Sequence, residues 1–366
     1  MTTKRKEILQ MVETGKLTVD EALILLESLD KNSTQPTEFN TEVIQDVSTY
    51  VVDTNKKVEG NTYQSPQSSF KDKLFSFVDQ TVKKVKDKDL DFNFGPSVEI
   101  QHIFQQSDVS VNEVDIDVAN GSVLLKPWNQ QQVRVECEAS VYKVTTQDEA
   151  RQLFLQDVSF SVEAGKIRFN VPKKQVKVKA VIYVPQVSYD RVKVRMFNGP
   201  IEGDQLTARE LKVKTAHGGI KLNNMQTQEL EAETANGVID LINVDAAKCE
   251  VESLNGAIRM MGEYEKVDVQ TFNGNVTCHL QGEQTEKVFL KTTTGSIDVV
   301  AAPTVFIDGD LKSNLGNFTC TVPNMEIIEE KNETIQKHLR FKANGTQVRG
   351  FKLFAESKTG SVFIKN

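Results

Sequence analysis

The chain is poor in the residues that most reaction chemistry uses. Its 366 residues include four cysteines, four histidines and one tryptophan. Cys137, Cys249, Cys278 and Cys320 form no C-x-x-C pair. His102, His217, His279 and His338 are scattered, so metal-ligand spacing is missing and no metal is expected. Phosphate loops, nucleophile elbows and H-E-x-x-H are also missing. No apolar run approaches the ~20 residues of a membrane span. The opening MTTKRKEILQMVETGK is basic, but polar residues interrupt it before a signal-peptide core forms. Positive charge is in deficit, with a net charge of −7, which argues against nucleic acid as the main partner. The expectation is a non-enzyme with no catalytic residues and no cofactor. It is placed in the cytoplasm, peripherally at the inner membrane face, with the cell surface as the alternative.

Four segments follow one another. Residues 1–30 read as a helical hairpin: Gly15 separates two short helices, and Thr18 with Glu21 gives a capping box on the second. Leu23, Leu26 and Leu29 lie on its apolar stripe as a candidate interface for a protein partner or a second copy. Residues 31–69 form a polar linker with the composition of disorder. Residues 70–89 carry Phe70, Leu74, Phe77, Val78, Val82 and Val85 at helical spacing, flanked by lysines and aspartates. Such an amphipathic helix either caps the domain that follows or lies on an anionic membrane or a partner.

Residues 90–366 are β in pattern, apart from a short helix expected near 146–156. Segments such as LKVKTAHGGIKL, LEAETANGVIDL and CEVESLNGAIRM align on Gly199, Gly218, Gly237, Gly256, Gly274, Gly295 and Gly316. Successive spacings are 19, 19, 19, 18, 21 and 21, with further copies at Gly121 and Gly360. Alternation on both sides of the glycine gives each repeat one dry and one wet face. Repeats of this length are too small to fold alone and too short for propeller blades. The fold expected is mainly β: a single-stranded β-solenoid of 18–21-residue coils, with a small N-terminal helical hairpin and an amphipathic helix.

In that stack the asparagines before the glycines, Asn198, Asn236, Asn255 and Asn273, are placed to form a side-chain ladder. Cys249, Cys278 and Cys320 fall at core positions, with Cys278 and Cys320 two coils apart. Residues 324–350 break the rhythm and read as a closing hairpin or an interaction loop. One outward row holds Lys212, Glu231, Glu250, Asp268 and Phe289; the next holds Lys214, Glu233, Glu252 and Gln270. The stacked pairs Glu231 with Glu250 and Glu233 with Glu252 are solvated charge or a face for a cation or basic ligand. A carbohydrate-active β-helix enzyme is the remote alternative, since no groove-forming insertion lies beside them.

The hairpin wording GKLTVDEA…LLE and the G-x-I-x-L turns resemble the YvlB/LiaX family of Firmicutes, which joins a short helical module to a bacterial adhesin-type solenoid. That resemblance implies a role in envelope stress, with envelope-stress membrane proteins among the partners. An antimicrobial-peptide-sensing or adhesive surface protein is the alternative it implies. It supplies no catalytic residues.

Overall fold

Alternating apolar residues over more than 200 positions, punctuated by glycine, leave the chain one way to hide its dry face: coil upon coil. The structure is a computed structural model that describes residues 95–345 and 349–366. The expected hairpin (1–30), linker (31–69) and amphipathic stretch (70–89) lie outside the described residues. The N-terminal elements are β1 (Ser97–Ser107), β2 (Glu113–Trp128), β3 (Gln132–Tyr142), α1 (Gln147–Asp157), β4 (Ser159–Glu163), β5 (Lys166–Val171) and β6 (Val176–Pro185). The middle holds β7 (Ser188–Asn198), β8 (Ile201–Asp204), β9 (Thr207–His217), β10 (Ile220–Asn236), β11 (Ile239–Asn255), β12 (Ile258–Asn273), β13 (Val276–Leu280), β14 (Lys287–Thr294) and β15 (Ile297–Val300). The C-terminal part adds β16 (Phe306–Ser313), β17 (Phe318–Thr321), β18 (Glu326–Glu333), β19 (Gln336–Ala343), β20 (Gly350–Ser357) and β21 (Val362–Lys365).

The middle is the solenoid the repeat calls for. Each residue pairs in parallel with its equivalent one coil away: Leu230 with Leu211 on one side and Cys249 on the other. Before each glycine runs a long wall, and after it a short one. Pairing between β10 and β11 skips Asn224, Gln228 and Ala235, which mark the bends of the coil. Asn224 and Asn243 take left-handed backbone there, at φ 53° and 54°. Asparagine tolerates that region better than most residues. The 18-residue coil omits this bend residue: Ile242 pairs with Met261 and Val244 with Gly262, leaving Asn243 unmatched.

Two polar columns run through the stack beside the apolar core. Thr215, Thr234, Ser253, Thr271, Thr292, Ser357 and Ser313 are buried. Each donates its hydroxyl to the carbonyl of a column glycine one coil away. At the surface, Asn255 donates to Asn236 at 3.0 Å and Asn273 to Asn255 at 2.8 Å. The expected asparagine ladder therefore forms over these coils. His217 takes the slot below, 3.1 Å from the Asn236 amide, and Asn198 instead donates to Asn120 at 3.1 Å. Replacing Thr234 with the isosteric Val removes one bond of the buried column. The expected loss is about 1–2 kcal/mol, measured by urea unfolding.

Coil order departs from chain order at both ends. β2 docks beside β7, so Gly121 lies under Gly199 although 78 residues separate them. β20 runs between β14 and β16, and β21 between β15 and β17. The glycine column accordingly reads Gly295, Gly360, Gly316. This corrects the cysteine spacing. Cys278 pairs with Val299, Val299 with Ile364, and Ile364 with Cys320, so the two thiols are three coils apart. At strand spacing that is about 14 Å, beyond disulfide reach. Cys249 and Cys278 are buried as core fillers, and Cys320 is half-buried.

Antiparallel strands finish both ends. β3 pairs antiparallel with β6 and β1 with β3, and β4 closes on β5. The Thr146 hydroxyl accepts from the Glu149 amide and caps α1. Phe154 of α1 packs its ring 6.2 Å from that of Phe104. At the other end β19 pairs antiparallel with β16, and β18 with β19, so residues 324–350 contain the closing hairpin.

Candidate functional site

The outward side chains of the long wall form three parallel rows, because every coil presents the same three slots. The middle row runs Asp115, Lys193, Lys212, Glu231, Glu250, Asp268, Phe289, Phe354, Asp310. The next runs Asp117, Arg195, Lys214, Glu233, Glu252, Gln270, Lys291, Glu356, Lys312. Glu231 therefore stacks on Glu250, and Glu233 on Glu252, as the repeat alignment places them.

The alignment set Lys212 and Lys214 in the same rows as the glutamates but did not show that they pair with them. The Lys214 ammonium sits 2.7 Å from Glu231 and 2.9 Å from Glu233, and Lys212 lies 3.2 Å from Glu231. Lys248 reaches Glu250 at 2.7 Å. Glu231, Glu233 and Glu250 are thus part of an ion ladder rather than an isolated acidic patch. Glu233 is the most buried of them. Burial first, and the neighbouring Glu231 carboxyl second, push its pKa up against the pull of Lys214. Burial also works against the charge of Glu231. The hydrogen bonds from Glu233 and Lys214 and the two lysine charges outweigh it and hold that carboxyl well below the usual range.

Toward the N-terminal coils the ladder continues beyond Lys212 and Lys214, where the rows read from the sequence began. Arg195 meets Asp117 at 2.7 Å, and Arg191 meets Glu210 at 2.7 Å. A cleft of about 280 Å³ opens there, lined by Glu113, Asp115, Lys166, Arg191, Lys193, Glu210 and Lys212. Burial, and then the charge of Arg195, lower the pKa of Lys193. The only signal for this part was the shared wording of DVANG and VKVRMFNG, which sets β2 and β7 in the same slot. At the other end Phe289 and Phe354 stack at 5.0 Å with planes 6° apart, and Lys312 lies over the Phe354 ring. Their stack occupies the junction where the last coil enters.

No group of three or more His, Cys, Asp or Glu side chains is arranged to hold a metal among the described residues. Nor is any described helix long and apolar enough to cross a membrane. The hairpin positions Leu23, Leu26 and Leu29, and the stripe from Phe70 to Val85, lie outside the described residues.

A family model described as Toastrack DUF4097 matches residues 111–349, more than half of the chain. The chain belongs to the Toastrack DUF4097 family. A second model, described as a SHOCT-like domain, matches residues 3–34 of this toastrack protein. Over 365 residues, 100% of this chain and 99% of the relative, it is 44% identical to the Bacillus subtilis (strain 168) protein named Uncharacterized protein YvlB. The resemblance to YvlB thus extends over the full length. Two solved structures are similar at low identity. A "putative adhesin" from Bacteroides fragilis NCTC 9343 is 13% identical, with a TM-score of 0.35, covering 72% of this chain and 97% of that one. A "Putative lipid binding protein" from Parabacteroides distasonis ATCC 8503 is 11% identical, with a TM-score of 0.38, covering 73% and 96%.

Proposed function

We propose that this toastrack protein is a non-catalytic binding and scaffolding protein of the bacterial cell-envelope stress response. The long wall is its interaction surface. The observation that carries this is the set of unbroken outward rows. Side chains in one slot recur at strand spacing over nine coils, a surface suited to an extended protein or polymer rather than to a small substrate. In this reading the N-terminal hairpin, through Leu23, Leu26 and Leu29, binds a protein partner or a second copy. Residues 70–89 touch the inner face of the membrane.

Affinity capture from native membranes tests it. The full chain is compared with a chain lacking residues 1–30 and with the Glu231→Gln, Glu233→Gln, Glu250→Gln, Glu252→Gln variant. Loss of distinct partners from each is expected; identical capture by all three overturns the scaffold reading. Sedimentation with anionic liposomes, with and without residues 70–88, tests membrane contact, and equal binding rejects it. External protease on intact cells tests the inner location, and cleavage there moves the protein to the cell surface.

A further inference from the structure

We infer that the cleft on the N-terminal coils of the long wall is a carboxylate-binding site centred on Lys193, and that its ligand is an acidic side chain of an extended polypeptide. This deepens the proposed function and rests on the long wall being an interaction surface. The cleft lies where the strands of the wall run in the order β5, β2, β7, β9. One outward row there holds Lys166, Glu113, Arg191 and Glu210. The next holds Arg168, Asp115, Lys193 and Lys212. Asp115 has the shortest side chain of these and stands between Arg168 and Lys193. Its shortness leaves about 280 Å³ open above the sheet.

Three of the four cations lining the cleft are already matched. Lys166 lies 3.0 Å from Asp115 and 3.7 Å from Glu113. Arg191 lies 2.7 Å and Lys212 2.9 Å from Glu210. Lys193 has no ion pair among the described residues. Burial works against its charge and Arg195 repels it, and the pull of Asp115 and Asp117 does not make up the difference. An anion set against its ammonium restores what the fold withholds.

The lining also selects the anion. Lys166, Arg191, Lys193 and Lys212 face Glu113, Asp115 and Glu210, so one negative charge completes the set. A carboxylate supplies it. A phosphate dianion would set its second charge against three carboxylates at close range. The volume falls below the roughly 300–1,000 Å³ of small-molecule pockets, so a side-chain group fits and a free cofactor does not. The cleft opens onto rows that continue at strand spacing, so the rest of an extended chain has the wall to lie against.

The test titrates a threonine-rich peptide with one central glutamate, its ends acetylated and amidated, into the isotope-labelled full chain at low ionic strength. The backbone amides of Asp115 and Lys212 are followed by NMR. They are expected to move saturably, and the glutamine counterpart of the peptide leaves them in place. Lys193→Met weakens binding about tenfold, while Lys177→Met on the short wall changes nothing. Asp115→Asn frees the charge of Lys166 and tightens binding several-fold. Misfolding cannot produce that gain, so it decides the matter if Lys193→Met does not fold. Inorganic phosphate at matched ionic strength displaces the peptide no better than acetate. The proposal is overturned by amides that do not respond to the glutamate, by affinity that survives Lys193→Met, by weaker binding in Asp115→Asn, or by preference for phosphate. Identical membrane capture by the three chains compared above overturns the scaffold reading even if Lys193 binds the peptide. Failure at Lys193 leaves capture through the glutamates standing.

Discussion

Gly256→Ala is expected to unfold the middle of the stack. A Cβ at this position meets the Gly237 carbonyl oxygen at 1.8 Å and its carbon at 2.6 Å. Both belong to backbone held in a parallel ladder, so neither side yields without breaking hydrogen bonds. A Cβ added at Gly237, Gly274, Gly295, Gly316 or Gly360 would meet the neighbouring coil's carbonyl oxygen within 2.0 Å in the same way. Spreading two coils locally exposes core and severs the hydroxyl column. The expected loss is about 3 kcal/mol or more, a fall in thermal midpoint on the order of 10 °C. Gly345→Ala is the control, because an added Cβ there meets nothing within 4 Å. Differential scanning calorimetry of the two variants decides the matter. Equal midpoints would mean that the column tolerates side chains.

The second large effect is a pH dependence centred on Glu233. Its folded-state pKa is raised to about 7, so the folded state binds this proton more tightly than the unfolded chain does. The stability it contributes is full below the ordinary carboxylate range and is lost as pH rises through about 7. Glu231 has the opposite shift, and its contribution is lost only in strong acid. Between pH 5 and pH 8 the wild type is therefore expected to lose about 1–2 kcal/mol from this pair, read from urea midpoints. Glu233→Gln removes the titration, flattens that slope and stands above the wild type at pH 8. Lys214→Met leaves two carboxylates facing each other. It is expected to cost about 2 kcal/mol more at pH 8 than at pH 5. A wild-type slope that survives Glu233→Gln assigns the titration elsewhere.

Most of the solenoid was legible because its rules are local. Period-two alternation told Leu211 and Val213 from Lys212 and Lys214, and the glycine spacing fixed the register to the residue. That is why the stacking of Glu231 on Glu250 could be read before any coordinates. Coil order was not legible in the same way. β14, β16 and β20 carry the same pattern, and nothing in LKSNLGNFTC or ESKTGSVFI says which lies next to VFLKTTTGSIDV. That choice is made by long-range packing, through Phe341 against Gly309 and Phe354 against Phe289. Countercharge was hidden for a related reason. A row of lysines and glutamates in one slot does not show that the lysines of the preceding coil reach over to the carboxylates. Lys214 does so because its long side chain lies along the wall with its ammonium between two carboxylates.

The closing strands at both ends have a consequence for solubility. A bare parallel ladder is a template for its own elongation, the same geometry that lets cross-β fibres grow by monomer addition. Here the C-terminal edge of the long wall is β18, EIIEEKNE, where Glu326, Glu329, Glu330 and Glu333 set like charges against any second copy that approaches it. Ile327 and Ile328 are exposed on that strand, at 54% and 49%, and a register irregularity lies between Ile327 and Glu329. The hairpin is in this sense a chain terminator for polymerisation. Replacing those glutamates with neutral residues removes that repulsion from the outer strand of the hairpin.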